Sequence, residues 1–387
     1  MTLSDILDTE SARLAAFPVA REQIFMAHAG VTILPRCAAR AMQDYVEKSC
    51  LQHQEFADAY RAVNETRKIA GDLIGAGAGE ISLLGPTSLG LSLVANGIPW
   101  QPGDEVLCYQ DDYPANVYPW LELRRRGVVV RFLEPANAGE ITPDLIERSV
   151  SDKTRLVALA SCHFLTGYRI DVDAIGRMLR EKRILFCLDA IQTLGAFETR
   201  VDHVDFLSAD AHKWLLGPMA AGIFFVREEH QELLRPTLLG AWNVKSPNFV
   251  AQDEVAFEKG GRRYEPGVLN MAGILGMRAS IELLTGIGIE NVSRRLLELK
   301  SHLISRLAPL GFQFVPPADG PNASGITTVW RESASAPVER IFDHLTAHGV
   351  IISLRHNRQG RGHLRFSPHF YNTEAEIDRV VDLMERL

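Results

Sequence analysis

The residues with the clearest chemical character lie in the segment 205–226. A short apolar strand there ends in small and polar residues, and His212, Lys213 and Trp214 follow directly. A lysine in a loop is ordinarily a solvated charge. Lys213 instead lies among leucine, tryptophan and glycine residues, where loss of water lowers the pKa of an amine and makes it a nucleophile toward aldehydes. We therefore expect Lys213 to be a reactive residue of an active site.

A carboxylate precedes this lysine at the end of another strand. Asp189 ends the apolar run 184-ILFCL-188, which places it at the carboxyl edge of a buried strand, where open α/β sheets bind ligands. Asp189 could simply cap the next helix. A buried carboxylate needs a cationic or protonated partner, however, and the protonated pyridine nitrogen of pyridoxal phosphate (PLP) is such a partner. Together, Lys213 and Asp189 predict a PLP enzyme.

The segment 85-GPTSLGLS-92 has the form of a phosphate-binding turn. A glycine turn after a strand leads to Thr87 and Ser88 at the start of a helix. Backbone N–H groups and hydroxyls can hold a phosphate at this positive end of a helix. Serine and threonine also cap ordinary helices, so this segment supports the prediction only in combination with the other two.

Apolar runs alternate with helical patterns through the first two-thirds of the chain and predict a mostly parallel, doubly wound sheet. The candidate strands are 80–84, 105–109, 128–133, 155–161, 184–190 and 222–226, together with the strand before Lys213, and helices are expected at 87–98 and 171–182. After about residue 240 comes a polar loop, then helices at 272–288 and 290–310 and a small α+β pattern. We predict a large domain at 20–260 and a small domain formed by 1–19, a short amphipathic helix, and 261–387.

Charge and composition limit the classes of partner. The 387 residues carry a formal net charge of −7, which gives no general attraction to nucleic acid or to an anionic membrane. No secretory signal and no apolar stretch of bilayer-spanning length is evident. The five cysteines are scattered, with no C-x-x-C pair, so neither a metal site nor a disulfide framework is expected. These features favour a cytoplasmic enzyme that acts on a small molecule.

The three motifs, in this order, resemble the class-V aminotransferase family of fold-type I PLP enzymes, which includes cysteine desulfurases and isopenicillin N epimerase-like enzymes. The resemblance extends from 27-AHAGVTILP-35 to 365-RFSPHFYNTEAEID-378. It implies a homodimer with shared active sites and a Schiff base between Lys213 and the cofactor. The cofactor contacts that it implies are a ring-stacking Tyr113, Asp189 at the ring nitrogen, Gln192 at the ring hydroxyl, Thr87, Ser88 and His212 at the phosphate, and Asn270 reaching the neighbouring subunit's phosphate. It also implies that Arg365 binds the substrate carboxylate, with His28 as a further substrate contact.

The departures from the desulfurase pattern concern three positions. Desulfurases carry a nucleophilic cysteine shortly before the carboxylate-binding arginine, and the segment 353-SLRHNRQGRGHLRF-366 has none. The serine three residues before the lysine is here Asp210, a candidate cofactor contact, and this form resembles the epimerase-like branch. His163 is either a second acid/base group or only a hydrogen-bonding group near the ring hydroxyl.

The cluster of arginines in the segment 355–365 is the most distinctive feature of this sequence. Several of them can be solvated loop charges, or else Arg355 or Arg358 meets an anionic side chain of the substrate. The expected reaction begins with proton removal at Cα by Lys213 and a quinonoid intermediate. Transamination or β-elimination (a C–S lyase) is expected, with epimerisation as an alternative. A relative that binds PLP or a partner without turnover is the alternative from another class.

Overall fold

The elements that carry the predicted motifs are short buried strands, each joined to the next by a helix or a loop. The structure is a computed structural model and describes residues 2–55, 57–332 and 337–387. Its helices are α1 (Leu3–Leu7), α2 (Glu10–Ala16), α3 (Arg36–Ser49), α4 (Ala57–Ile74), α5 (Thr87–Gly97), α6 (Tyr118–Glu122), α7 (Pro143–Ser149), α8 (Val172–Glu181), α9 (Met271–Ile287), α10 (Ile289–Leu307), α11 (Val338–Ala347) and α12 (Glu374–Glu385). Its strands are β1 (Ile24–Phe25), β2 (Ile81–Leu83), β3 (Glu105–Cys108), β4 (Val129–Phe132), β5 (Thr154–Ala160), β6 (Leu185–Asp189), β7 (Phe206–Asp210), β8 (Gly222–Val226), β9 (Gln313–Phe314), β10 (Thr327–Trp330), β11 (Val350–Ile351), β12 (Ser353–His356) and β13 (Gly362–Phe366).

The main sheet has seven strands in the order β2-β8-β7-β6-β5-β3-β4. Strand β8 is antiparallel to both of its neighbours, whereas the other pairs are parallel. Apolar residues occupy successive positions of these strands because helices cover both faces of the sheet. The predicted α/β fold with a mostly parallel seven-stranded sheet is confirmed. The parallel neighbours β6 and β7 end at the same edge, which brings Asp189 and Asp210 together there.

A second sheet contains four antiparallel strands in the order β12-β13-β10-β9. Helices α10, α11 and α12 pack on it around a separate apolar cluster. Strand β1, from the predicted large domain, pairs in parallel with β11, from the predicted small domain. The proposed boundaries of the two domains stay a prediction.

The N-terminal segment contains two short helices, so the prediction of a single helix is wrong. Thr2 caps α1 in a capping box with Asp5, and Thr9 accepts a hydrogen bond from the backbone N–H of Ala12 to begin α2. Thr9 therefore begins a second helix and interrupts the amphipathic pattern that starts at Thr2. Within the described ranges, no single helix is long and apolar enough to cross a bilayer, and α9 and α10, which pass that test only together, are bent by 81° at their junction.

Candidate active site

A cavity of about 290 Å³ opens at the carboxyl edge of β6 and β7, between the main sheet and the small sheet. Parallel strands end at one edge, so side chains distant in sequence converge there. Nine residues predicted from the sequence line this cavity: Thr87, Ser88, Tyr113, Asp189, Gln192, His212, Lys213, Arg355 and Arg365. The structure thus brings most of the predicted site residues together.

Lys213 lies three residues beyond the end of β7 and is only 7% exposed. Burial lowers the pKa of its amine to about 8; the Asp189 carboxylate opposes this effect, and Arg365 and Arg355 add to it. The Nζ atom lies 5.3 Å from the centre of the Tyr113 ring. An amine with this pKa is partly neutral at physiological pH and can attack an aldehyde.

Asp189 lies at the end of β6 and accepts a hydrogen bond of 3.0 Å from the backbone N–H of Ile191. Burial, together with the neighbouring Asp112, raises the pKa of its carboxyl to about 7. Within the described residues, Asp189 forms no ion pair at hydrogen-bonding distance. A buried acid of this kind is satisfied by a protonated nitrogen that enters the cavity, and a pyridinium fits that requirement.

The start of α5 forms the opposite end of the cavity. No side chain caps this helix, so its first N–H groups face the space beside Thr87 and Ser88. The Thr87 hydroxyl accepts a hydrogen bond of 2.9 Å from the N–H of Asp210, and His212 Nδ1 lies 2.9 Å from Asp210 Oδ2. Uncapped N–H groups, two hydroxyls and an imidazole suit a phosphate.

Gln192 is held from two sides. Its Nε2 donates to the carbonyl of Ala29 at 3.1 Å, and its Oε1 accepts from Trp214 Nε1 at 2.8 Å. The indole therefore fixes which way the amide is turned. Trp214 is next to Lys213 in sequence, so this bond also ties the lysine loop to the wall of the cavity.

Arg365 and Arg355 lie on the small-sheet side of the cavity. Arg365 is 1% exposed; its Nη1 donates to the Phe164 carbonyl at 2.6 Å, and its Nη2 lies 3.3 Å from Ser353 Oγ. Burial lowers the pKa of Arg365 to about 9, and the neighbouring Arg355 contributes. Its Nε is buried without a hydrogen-bond partner. A guanidinium in this state can bind a carboxylate.

Four predicted site residues do not line this cavity. Asp210 lies behind it and accepts hydrogen bonds from the N–H groups of its own β7–β8 connection. His28 is fully buried, bonded to Thr32 and Tyr371. Asn270 caps α9 at the surface and donates to a carbonyl.

His163, the fourth, lines the adjacent cleft. Its Nε2 donates to the Asp111 carbonyl at 3.0 Å, and its Nδ1 faces Thr166. Burial lowers its pKa to about 4, so the ring is neutral. Arg358 lies in the same cleft and pairs with Asp111. Of the two arginines considered for a substrate anion, only Arg355 reaches the cavity.

Two residues near the centre were not predicted from the sequence. Asp112 is 8% exposed, and burial raises its pKa to about 6. It accepts hydrogen bonds from the N–H of Tyr113 and from Asn116 Nδ2. Phe164 lines the cavity with its ring edge toward Tyr113. Asp112 could have been predicted from the sequence because it directly precedes Tyr113, whereas nothing in the sequence marks Phe164 as a residue of the cavity.

No cysteine lines the cavity in the part of the chain that the structure describes. Burial raises the pKa of Cys108 to about 12 and that of Cys162 to about 11, so these thiols stay protonated. Cys187 lies in β6, and Cys162 follows β5, which ends at Ala160.

A fold of this kind, with a buried lysine, a buried aspartate and an open helix start around one cavity, defines a fold-type I PLP enzyme. Comparison with known proteins agrees. Residues 24–380 match the family model described as "Aminotransferase class-V". The chain belongs to the class-V aminotransferase family and is a PLP-dependent enzyme, as expected from the sequence.

Several proteins that are similar to this chain have functional names. A probable cysteine desulfurase of Methanothermobacter thermautotrophicus is 29% identical, covering 96% of each chain. The apo structure of a cysteine desulfurase from Thermococcus onnurineus NA1 is similar with a TM-score of 0.90 at 23% identity, covering 97% of each chain. The cystine C–S lyase C-DES, solved with its product cysteine persulfide, is similar with a TM-score of 0.85 at 19% identity, covering 95% of this chain and 98% of that one.

Proposed function

We propose that this enzyme is an amino-acid C–S lyase that cleaves the Cβ–S bond of its substrate and releases the sulfur directly, without first transferring it to an enzyme cysteine. The observation that carries this proposal is that no cysteine lines the cavity among the described residues. The same cavity does contain the lysine, the aspartate and the arginines of a PLP site. The names of the relatives, cysteine desulfurases and a cystine C–S lyase, support cleavage of a C–S bond. They do not favour the epimerase alternative.

The side chains of the cavity have separable roles in this proposal. Bound PLP supplies an electron-withdrawing ring that acidifies the Cα–H bond of an attached amino acid. Thr87, Ser88 and His212 would hold its phosphate, and Asp189 its ring nitrogen. Tyr113 would cover one face of the ring. Asp210 would hold His212 and Thr87 in place, and Gln192 would meet the ring hydroxyl.

The reacting groups are Lys213 and Arg365. Arg365 would hold the α-carboxylate and so orient the Cα–H bond toward Lys213. Lys213 Nζ would take the proton from Cα, and the Cβ–S bond would break with its electron pair leaving on sulfur. His163 is neutral and bonded on both sides, so we propose that it positions the loop around Asp111 and does not transfer a proton.

The products separate this reaction from its alternatives. With L-cysteine, β-elimination and hydrolysis give pyruvate, ammonia and sulfide in equal amounts. Release of alanine, with sulfur bound to the protein, would contradict the proposal. A keto acid that keeps its sulfur would indicate transamination. The Lys213→Ala variant should give no product, whereas Cys50→Ser, at an exposed thiol, should leave the rate unchanged.

The cofactor and its anchor are tested on the purified protein. It should show a visible absorption band that borohydride removes, and peptide mapping should then find the pyridoxyl group on Lys213. A colourless protein that takes up no PLP would leave the non-catalytic alternative.

We also propose that the enzyme is a homodimer of the cytoplasm. Exposed apolar side chains support pairing: Val268 and Phe249 are 68% and 76% exposed, and Tyr60 stacks on Trp242 in an open hollow. Asn270, two residues from Val268, would then lie where it can reach the partner's phosphate site. The five free thiols are consistent with a reducing compartment. Sedimentation should give twice the mass of the chain.

A further inference from the structure

Two guanidinium groups face the same space at the small-sheet end of the cavity. Arg365 on β13 pairs with Ser353 on β12, and Arg355 is two positions further along β12. Side chains two positions apart in a strand point to the same face, so both arginines project toward the cavity. Neighbouring like charges repel, and proteins usually place a carboxylate between them.

No carboxylate in the described ranges forms an ion pair with either arginine at this end of the cavity. Arg365 donates to one carbonyl and lies near one hydroxyl, and Arg355 donates only to the carbonyl of its neighbour Leu354 at 3.2 Å. The Nε atom of Arg365 is buried and has no partner. Two positive charges therefore lie next to each other with free donors and no neutralising side chain.

Gly30 keeps the space between the two guanidiniums open. A Cβ atom at this position would lie 3.6 Å from Arg355 Nη2 and 3.6 Å from Arg365 Nη2. The two nitrogens are therefore no more than about 7 Å apart, as expected of diagonal neighbours on a sheet face. A short ligand can reach both.

The cofactor does not account for this charge. Its phosphate would lie at the start of α5, beside Thr87, Ser88 and His212. One α-carboxylate forms two parallel hydrogen bonds with one guanidinium. A monoanionic amino acid would therefore leave one positive charge of the pair uncompensated.

We infer that the substrate is an S-substituted cysteine whose short sulfur substituent carries a second anionic group, such as a carboxylate, which Arg355 binds while Arg365 binds the α-carboxylate and the substituted sulfur leaves as a thiolate. This inference rests on the proposed function, because it assigns the substrate class of the same site. Two anions match two guanidiniums in number and in separation. The repulsion between Arg355 and Arg365 in the free enzyme becomes attraction for the ligand.

Binding to the PLP-loaded enzyme tests the inference. Changes in the visible spectrum give dissociation constants for L-aspartate and L-cysteine sulfinate, and for the neutral amino acids L-asparagine and L-alanine. We expect L-aspartate to bind at least about tenfold more tightly than L-asparagine. Arg355→Gln should reduce this preference to near one, and Arg355→Lys should keep part of it because the charge remains.

Arg361→Gln is the matched control, because Arg361 lies on the same hairpin but packs over the Trp330 ring and faces Glu332. It should leave the preference unchanged. Equal binding of L-aspartate and L-asparagine by the unmodified enzyme overturns the inference, as does Arg355→Gln weakening both ligands alike. A coloured enzyme that responds to none of the four ligands overturns the inference but not the proposed function. A protein that takes up no PLP overturns both.

Discussion

The amine of Lys213 is expected to titrate far below an ordinary lysine. Burial lowers its pKa from 10.5 to about 8, which makes about a quarter of the amine neutral at pH 7.5, compared with about one part in a thousand for an unperturbed lysine. Asp189 acts in the opposite direction because its negative charge favours the ammonium form. Replacing Asp189 by asparagine should therefore lower the pKa of Lys213 further.

The size of this change can be estimated from the charge removed. Loss of a nearby opposite charge typically shifts a pKa by about one unit or more. Asp189 has a pKa of about 7, so it carries its charge mainly above that pH. At pH 7.5, a fall in the pKa of Lys213 from about 8 to about 7 would raise its neutral fraction from about 24% to about 76%, which is close to a threefold increase.

Competitive labelling of the apo-protein measures this fraction, because acetic anhydride reacts only with neutral amines and peptide mass spectrometry separates the lysines. Lys300 is an internal control: burial also lowers its pKa to about 8, but Asp189 is not among the charges that act on it. Its labelling curve should be the same in the parent and the Asp189→Asn variant. A Lys213 midpoint near 10.5, or an upward shift in the variant, would refute this account of the site.

Three further substitutions give independent checks. Ser88→Ala should weaken PLP binding about tenfold or more, because a hydrogen bond to a charged phosphate is lost, and titration of the apo-protein with PLP measures it. Trp214→Phe leaves Gln192 Oε1 buried without its donor and should lower the free energy of unfolding by about 1–3 kcal/mol in denaturant titrations. Arg358→Ala breaks an ion pair with Asp111 whose side chains are 52% and 39% exposed. It should change that free energy by less than about 1 kcal/mol, and a larger loss would show that this pair has a greater structural role.

The main sheet and the edge that carries the active site could be predicted because strands buried on both faces are continuously apolar in sequence. Apolar runs without alternation marked the parallel strands, and a polar residue at the end of such a run, as with Asp189, had to lie at the carboxyl edge. The helix start at Thr87 followed from the same logic. The antiparallel direction of β8 could not be predicted, because a strand buried on both faces has the same apolar pattern whether it is parallel or antiparallel to its neighbours.

The assignment of the arginines and of His163 could not be read from the sequence, because it depends on register. Arg355 faces the cavity since it is two positions from the residue paired with Arg365, whereas Arg358 lies in the turn and meets Asp111. A shift of one residue in the pairing of β12 with β13 would reverse which side chains face inward. His163 likewise lies one residue from Phe164, and it is Phe164 that lines the cavity.

The charges around Lys213 suggest how substrate binding acts on the base. Arg365 and Arg355 both lower the pKa of the lysine, and Asp189 and Asp112 raise it. An anionic substrate would neutralise the arginines but leave the carboxylates in place, so the balance would shift toward a higher pKa for Lys213. Since a stronger base removes a proton from carbon more readily, the arginine pair would couple recognition of the substrate to the basicity of the lysine.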